Sequence, residues 1–248
     1  MNKFFISFYD YVILKKNKLN DYKSLVKIII KIQKIKVKKS YKLGKFKVKF
    51  LKYTLNNLHK ESDLFFDWYL KYCLKEKNIS KIKKLLRKEL NKVYKKLKFS
   101  NNTFVHRDFH VSNIMLKKKK LGLIDSQDAI IGNPLYDIAS LIDDVRIRLP
   151  NNLQDNLLEF YHKNSQLKKD NIESLKNDFD ILSVQRNFKI LGIFVRLSKR
   201  DGKNNYLKFL PYAWTLIEKR LKNPIFKNFN ILMNKNLPIK KLRKLNKI

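Results

Sequence analysis

Apolar positions recur every three or four residues through most of this chain, with shorter alternation only near its middle. Residues 21–35 carry a broad apolar face on a helical period. Leu64, Phe65, Trp68, Tyr69, Tyr72 and Cys73 repeat the pattern over 63–77. Ile82, Leu85, Leu86, Leu90, Val93, Tyr94 and Leu97 do so over 80–98, with Ser80 as a candidate N-cap. The period then shortens. Thr103-Phe104-Val105 reads as extended, and Ile114-Met115-Leu116 and Leu121-Gly122-Leu123-Ile124 flank four lysines as a small hairpin. Gly132-Asn133-Pro134 signals a helix start, Asn133 as cap and Pro134 in the first turn, with Leu135, Ile138, Leu141, Ile142 and Val145 as its buried face. Further helices are expected at 152–163, 172–199 and 205–221. Residues 4–14, aromatic and apolar, suit a strand or extended linker; the lysine-rich stretch 36–50 gives no clear period; and the segment from 222 reads as a poorly ordered basic tail. The sum is a mostly helical α+β chain with a small central β hairpin.

The hydrophobic fraction of 44% over 248 residues is enough to bury a substantial core, which excludes general disorder. A single cysteine, Cys73, excludes an internal disulfide and suits a reducing compartment; it reads as a small buried residue. No apolar run reaches spanning length, and the aromatic N-terminus is interrupted by Asp10, so the cytoplasm is the expected location, without a membrane partner. The formal charge of +36 suggests a polyanion. Only nine of the 57 basic residues are Arg, however, and the lysines are spread along the chain with an excess of Asn and Ile. That pattern fits coding bias better than a shaped nucleic-acid surface, which favours Arg. A basic nucleic-acid-binding module remains the third reading.

Candidate chemistry concentrates in Val105-His106-Arg107-Asp108-Phe109-His110-Val111-Ser112-Asn113, followed by Leu123-Ile124-Asp125. The pattern H-x-D-x-x-x-x-N, with a second Asp after a short apolar run, is the layout of a phosphotransferase catalytic loop. Phosphoryl transfer needs a carboxylate at the acceptor hydroxyl and oxygen ligands for a hard cation. Asp108 is the candidate base, Asn113 and Asp125 are candidate metal ligands, and His110 is a candidate donor to the transferred group. His106 more simply holds the loop. Asp125 also fits a turn or cap residue. His59 and His162 stand outside any motif and read as surface residues.

His106–Met115 together with Ile124-Asp125-Ser126-Gln127-Asp128-Ala129 resembles the aminoglycoside-phosphotransferase superfamily of small-molecule kinases. Within it, the resemblance is to the bacterial anomeric sugar kinases acting on N-acetylmuramate and N-acetylglucosamine. Supporting stretches are Glu61–Tyr69, Gly132–Leu141, Gln185–Phe194 and Arg196–Lys203. The resemblance runs from about residue 55 to 220 and more weakly back to residue 4. It implies a protein-kinase-like C-terminal lobe, ATP and Mg2+ as cofactors, and phosphorylation of the anomeric hydroxyl of an amino sugar in cell-wall recycling. Asp108, Asn113 and Asp125 carry over at matching positions. Glu61, Trp68, Gln127, Asp128, Arg200 and Asp201 lie in subgroup-like motifs and would line the sugar cleft. Trp68 equally suits a core position, and Arg200 an ion pair with Asp201 or another carboxylate. Asp137 would brace the catalytic loop.

The resemblance also implies an N-terminal lobe with a phosphate-covering loop, absent here or reduced to a remnant. The five glycines, at 44, 122, 132, 192 and 202, form no phosphate-cradling run, and no single lysine is marked as the nucleotide-binding one. The expected organisation is a lobe-junction remnant and first helix over 1–50, a catalytic domain over 51–221 and a basic tail over 222–248. The expected partners are a small-molecule sugar and a separately encoded N-terminal lobe. A degenerate relative that binds sugar or protein without catalysis is the alternative to an active kinase.

Overall fold

The computed structural model describes residues 5–38, 40–74, 79–118 and 120–243. The chain opens with β1 (Ile6–Ser7) and α1 (Phe8–Ile13), then α2 (Leu19–Gln33). The segment expected to be extended is thus mostly helical. Ser7 caps α1: its hydroxyl accepts from Asp10 N at 3.1 Å and donates to the Asp10 carboxylate at 2.6 Å, which outweighs the β-type composition. The lysine-rich stretch forms a hairpin of β2 (Tyr41–Leu43) and β3 (Phe46–Val48), turned at Gly44, whose φ of +59° favours a residue without Cβ.

α3 (Leu55–Leu64) follows, started by a capping box between Thr54 and Asn57. It runs into a π-helical turn, Phe65–Leu70, and a short α4 (Lys71–Cys73). The helix expected over 63–77 therefore starts earlier, and its last residues lie outside the described ones. Ser80, expected as a cap, lies inside α5 (Ile79–Tyr94). β4 (Thr103–Val105), the hairpin β5 (Ile114–Lys117) and β6 (Lys120–Leu123), and β7 (Ile130–Gly132) make up the middle. The helices α6 (Leu135–Ile142), α7 (Asn151–Asn164), α8 (Ile172–Asp201) and α9 (Leu210–Arg220) come next.

From residue 222, read in the sequence as a basic tail, the chain continues as α10 (Lys227–Asn236) and α11 (Ile239–Arg243). Phe226, Phe229, Met233, Leu237 and Leu242 are buried along it. An apolar residue every three or four positions is enough to dock a helix whose other faces are basic. Among the described residues no helix is long and apolar enough to cross a membrane.

Two units emerge. The first comprises Met1–Tyr53 and Phe99–Leu175; the second comprises Thr54–Lys98 and Lys176–Ile248. In the first, β1, β5 and β6 form an antiparallel sheet, and β4 pairs with β7. Its core holds Phe8, Tyr22, Leu25, Phe109, Leu135 and Tyr161. The N-cap position of α6 is taken by Pro134, one residue later than expected, and Asn133 Oδ1, just outside the helix, accepts from Leu135 N at 2.9 Å. In the second unit, Phe65 stacks on Phe188 with ring centroids 4.6 Å apart, and Trp214 Nε1 donates to Tyr69 Oη at 2.7 Å. Gly192 lets α8 close onto the end of α3: a Cβ there would lie 2.2 Å from the Leu64 carbonyl oxygen.

Candidate active site

Every residue of the motif H-x-D-x-x-x-x-N lies in the first unit. β4 delivers the chain into it, and register with β7 pairs Val105 with Ile130. The backbone then turns at Arg107, whose φ is +75°. A non-glycine residue in that region is strained by roughly 1–3 kcal/mol. The turn is held by Asp137 in the first turn of α6, which is fully buried and accepts from His106 N at 2.8 Å and Arg107 N at 2.9 Å. Two charge-assisted bonds to one carboxylate offset the strain.

Phe109 and Val111 are buried and anchor the loop, while Asp108 just before them and Asn113 beyond are half-exposed. The Asp108 carbonyl accepts from His110 N at 3.0 Å and from Asn113 Nδ2 at 3.1 Å. With its amide nitrogen committed to Asp108, Asn113 presents its carbonyl oxygen as the remaining ligand atom. Asn113 also closes the hairpin: its backbone oxygen accepts from Ile124 N at 3.1 Å, one residue before Asp125.

Asp125 is exposed and left-handed, with φ 65° and ψ 40°. The apolar strand ends earlier, at Leu123, and the chain bends at Asp125 into a 3-10 turn over Ser126–Asp128. Asp and Asn are among the few residues that tolerate such a bend. Gln127 Nε2 donates to Asp125 Oδ1 at 3.1 Å, and both Gln127 and Asp128 are exposed. Burial pushes the His106 imidazole below its ordinary pKa, opposed by the Ile124 backbone and by the carboxylates of Asp108 and Asp125.

His110, expected to meet the transferred group, keeps only 8% of its surface open. Sequence reasoning passed over Asp144. It is buried at the end of α6, accepts from Val111 N at 3.4 Å and pairs with Arg146 Nη1 at 3.0 Å, a second brace under the loop. Its only signal was a polar Asp143-Asp144 pair closing an apolar helix.

The other expected cleft residues belong to the second unit. Glu61 is 5% exposed and engaged by both oxygens, with Gln185 Nε2 at 2.9 Å and Lys189 Nζ at 3.3 Å, so it links α3 to α8. Trp68 is half-buried and stacks on Tyr72, rings 11° from parallel and centroids 5.8 Å apart. Arg200 and Asp201 form a bidentate pair at 2.7 and 3.0 Å, as the alternative reading had it. That pair holds the Asp201 carboxyl below its usual range. His59, expected at the surface, is buried and donates from Nε2 to Asn91 Oδ1 at 3.0 Å.

The model of the phosphotransferase enzyme family matches residues 23–174, more than half of the chain. The chain belongs to that family. It is 30% identical over 171 residues to the N-acetylmuramate/N-acetylglucosamine kinase of Pseudomonas aeruginosa, a match covering 66% of this chain and 51% of that protein. To the enzyme of the same name from Neisseria meningitidis it is 29% identical, over 64% of this chain and 49% of that one. The chain thus spans about half the length of the curated relatives it matches. Among solved structures, an ethanolamine kinase of Plasmodium vivax superposes with a TM-score of 0.58 at 18% identity, covering 92% of this chain and 66% of that one. A choline/ethanolamine kinase family protein of Mesorhizobium loti gives 0.53 at 12% identity, covering 90% and 69%. These two likenesses carry a kinase-like fold.

Proposed function

We propose that this family member is a kinase that moves the γ-phosphate of ATP onto a hydroxyl of a small molecule, and that the acceptor is the anomeric hydroxyl of an amino sugar in cell-wall recycling. The observation that supports the reading is a pair of hydrogen bonds: Asn113 Nδ2 donates to the Asp108 carbonyl at 3.1 Å, and Ile124 N, one residue before Asp125, donates to the Asn113 carbonyl at 3.1 Å. The choice of sugar rests on the similarity to the two N-acetylmuramate/N-acetylglucosamine kinases.

The donor set suits Mg2+. Asp125 and Asn113 offer hard oxygen atoms at exposed or half-exposed positions, and among the described residues no cluster of three metal-binding side chains is preformed. A magnesium ion held by one or two carboxylates together with substrate phosphates requires no such cluster. Asn113 and Asp125 would hold the ion, which when bound supplies charge neutralisation on the phosphates. Asp108 accepts a hydrogen bond from the acceptor hydroxyl, aligns it and receives its proton as the new phosphate ester forms. His110 donates to the transferred group through the small part of its ring that stays open. Asp137 and Asp144 keep the loop in this conformation. Gln127 and Asp128, next to Asp125 in the chain, are assigned to the acceptor sugar.

The test is ATP consumption in the presence of N-acetylmuramate or N-acetylglucosamine, with the chain alone and together with the polypeptide encoded next upstream. Turnover is expected that an Asp108→Ala variant lacks. Turnover no higher than this control in both formats would overturn the assignment.

A further inference from the structure

A groove of about 570 Å³ lies against α3 and α5 in the second unit and shares no residue with the catalytic loop. His59, Lys83, Lys84, Arg87, Lys88 and Asn91 line it. The four cations fall at i, i+1, i+4 and i+5 on α5, and hence on one side of the helix. Lys83 with Arg87, and Lys84 with Lys88, are like-charge pairs at i,i+4, an arrangement that disfavours the helix until something neutralises it.

Two of the four are already fixed. Lys83 Nζ donates to both Asp67 oxygens at 2.7 and 2.8 Å. Arg87 Nε pairs with Asp63 Oδ1 at 3.2 Å. The terminal fork of Arg87 has no partner among the described residues, and Nε, although 3.2 Å from Asp63 Oδ1, is buried without a hydrogen bond to it. Lys84 and Lys88 are exposed and carry no ion pair among the described residues. Arg87 is also one of only nine Arg in a chain that uses Lys almost everywhere. A planar guanidinium with an unengaged fork, flanked by two unpaired ammonium groups, suits a tetrahedral oxyanion better than a diffuse negative surface.

We propose that this groove is an anion site for a phosphate-bearing small molecule, with Arg87 gripping two phosphoryl oxygens and Lys84 and Lys88 neutralising the remaining charge. Free phosphate and a phosphorylated metabolite share this chemistry, and a second phosphoryl group would engage the full row of cations.

The proposal is tested by calorimetric titration of the full chain with inorganic phosphate and, separately, inorganic pyrophosphate. EDTA excludes divalent cations, and sodium chloride holds the ionic strength constant. Saturable binding is expected, tighter for pyrophosphate. The double variant Lys84→Glu/Lys88→Glu and the single variant Arg87→Gln should each weaken it about tenfold or more. Asp125→Ala, and a control reversal of two exposed α2 lysines, Lys27→Glu/Lys31→Glu, should leave it intact. Three results would overturn the site: no saturable binding, an equal loss in the α2 control, or a loss in Asp125→Ala without one in the groove variants. Thermal melts confirm that each variant is folded; if the double reversal is not, Lys84→Gln/Lys88→Gln gives the same reading.

Discussion

Asp137 Oδ1 accepts a hydrogen bond from Arg107 N at 2.9 Å, and so fixes a left-handed arginine one residue before the candidate base. The buried carboxylate is what the strained turn rests on. Asp137→Ala leaves two buried main-chain donors unpaired and is expected to cost about 3 kcal/mol or more. Urea unfolding measures that loss. Asp137→Asn keeps one acceptor and should fall between the two. If Asp137→Ala unfolds at the parent's urea midpoint, the bracing role is wrong.

The bend at Asp125 separates its shape from its charge. Asn tolerates the same left-handed backbone, so Asp125→Asn should keep stability within about 0.5 kcal/mol. It should also lose magnesium-dependent nucleotide binding, read by titrating ATP with and without Mg2+. Unchanged magnesium dependence removes Asp125 from the metal role.

Gly192 is where two helices meet without room for a side chain. Gly192→Ala forces the Leu64 carbonyl or a whole helix to shift, since the added atom would sit 2.2 Å from that oxygen. A loss of roughly 3 kcal/mol is expected, at the upper end for overpacking. Chemical denaturation against an alanine substitution at an exposed helix position gives the comparison.

Glu61 belongs to a buried pair with Lys189 as well as to a bond with Gln185. Removing one partner of such a pair strands the other charge, so Glu61→Ala should cost about 3 kcal/mol. If Glu61 instead contacts acceptor sugar, the variant will keep its stability and raise KM. Melting curves and sugar titrations together separate the two.

Cys73 offers a pH readout. Burial pushes its thiol up to about 12, against the neighbouring Tyr69 hydroxyl and the nearby charge of Lys199. Only the thiolate reacts with iodoacetamide. The labelling rate should still be rising about tenfold per pH unit at pH 10, where an ordinary cysteine has levelled off near its pKa of about 8.5. A plateau by pH 9 contradicts this environment.

The parts legible in the sequence were those where local chemistry and tertiary demand agree. The hairpin from Ile114 to Leu123 was marked by alternation around a lysine block. The start of α6 was marked by Asn133-Pro134, and the loop by its own residue types. The hairpin at Tyr41–Val48 escaped because each strand is only three residues long, too short for the alternation of Tyr41-Lys42-Leu43 and Phe46-Lys47-Val48 to stand out from a lysine-rich stretch. α1 escaped because its aromatic, β-branched residues favour a strand until Ser7 and Asp10 close the cap. Asp144, which holds the loop in place, had no motif at all; its role exists only once distant segments meet.

Asn113 and Asp125 bracket the ribbon of β5 and β6, tied at its base by the bond from Ile124 N to Asn113 O. What lies beyond that base can change without moving either residue, provided residues enter in equal numbers on the two strands. The far end, where Lys117 pairs with Lys120, is therefore a natural place to splice in an epitope or a fluorophore-bearing peptide: such a handle would report on the protein without disturbing the geometry at the opposite end.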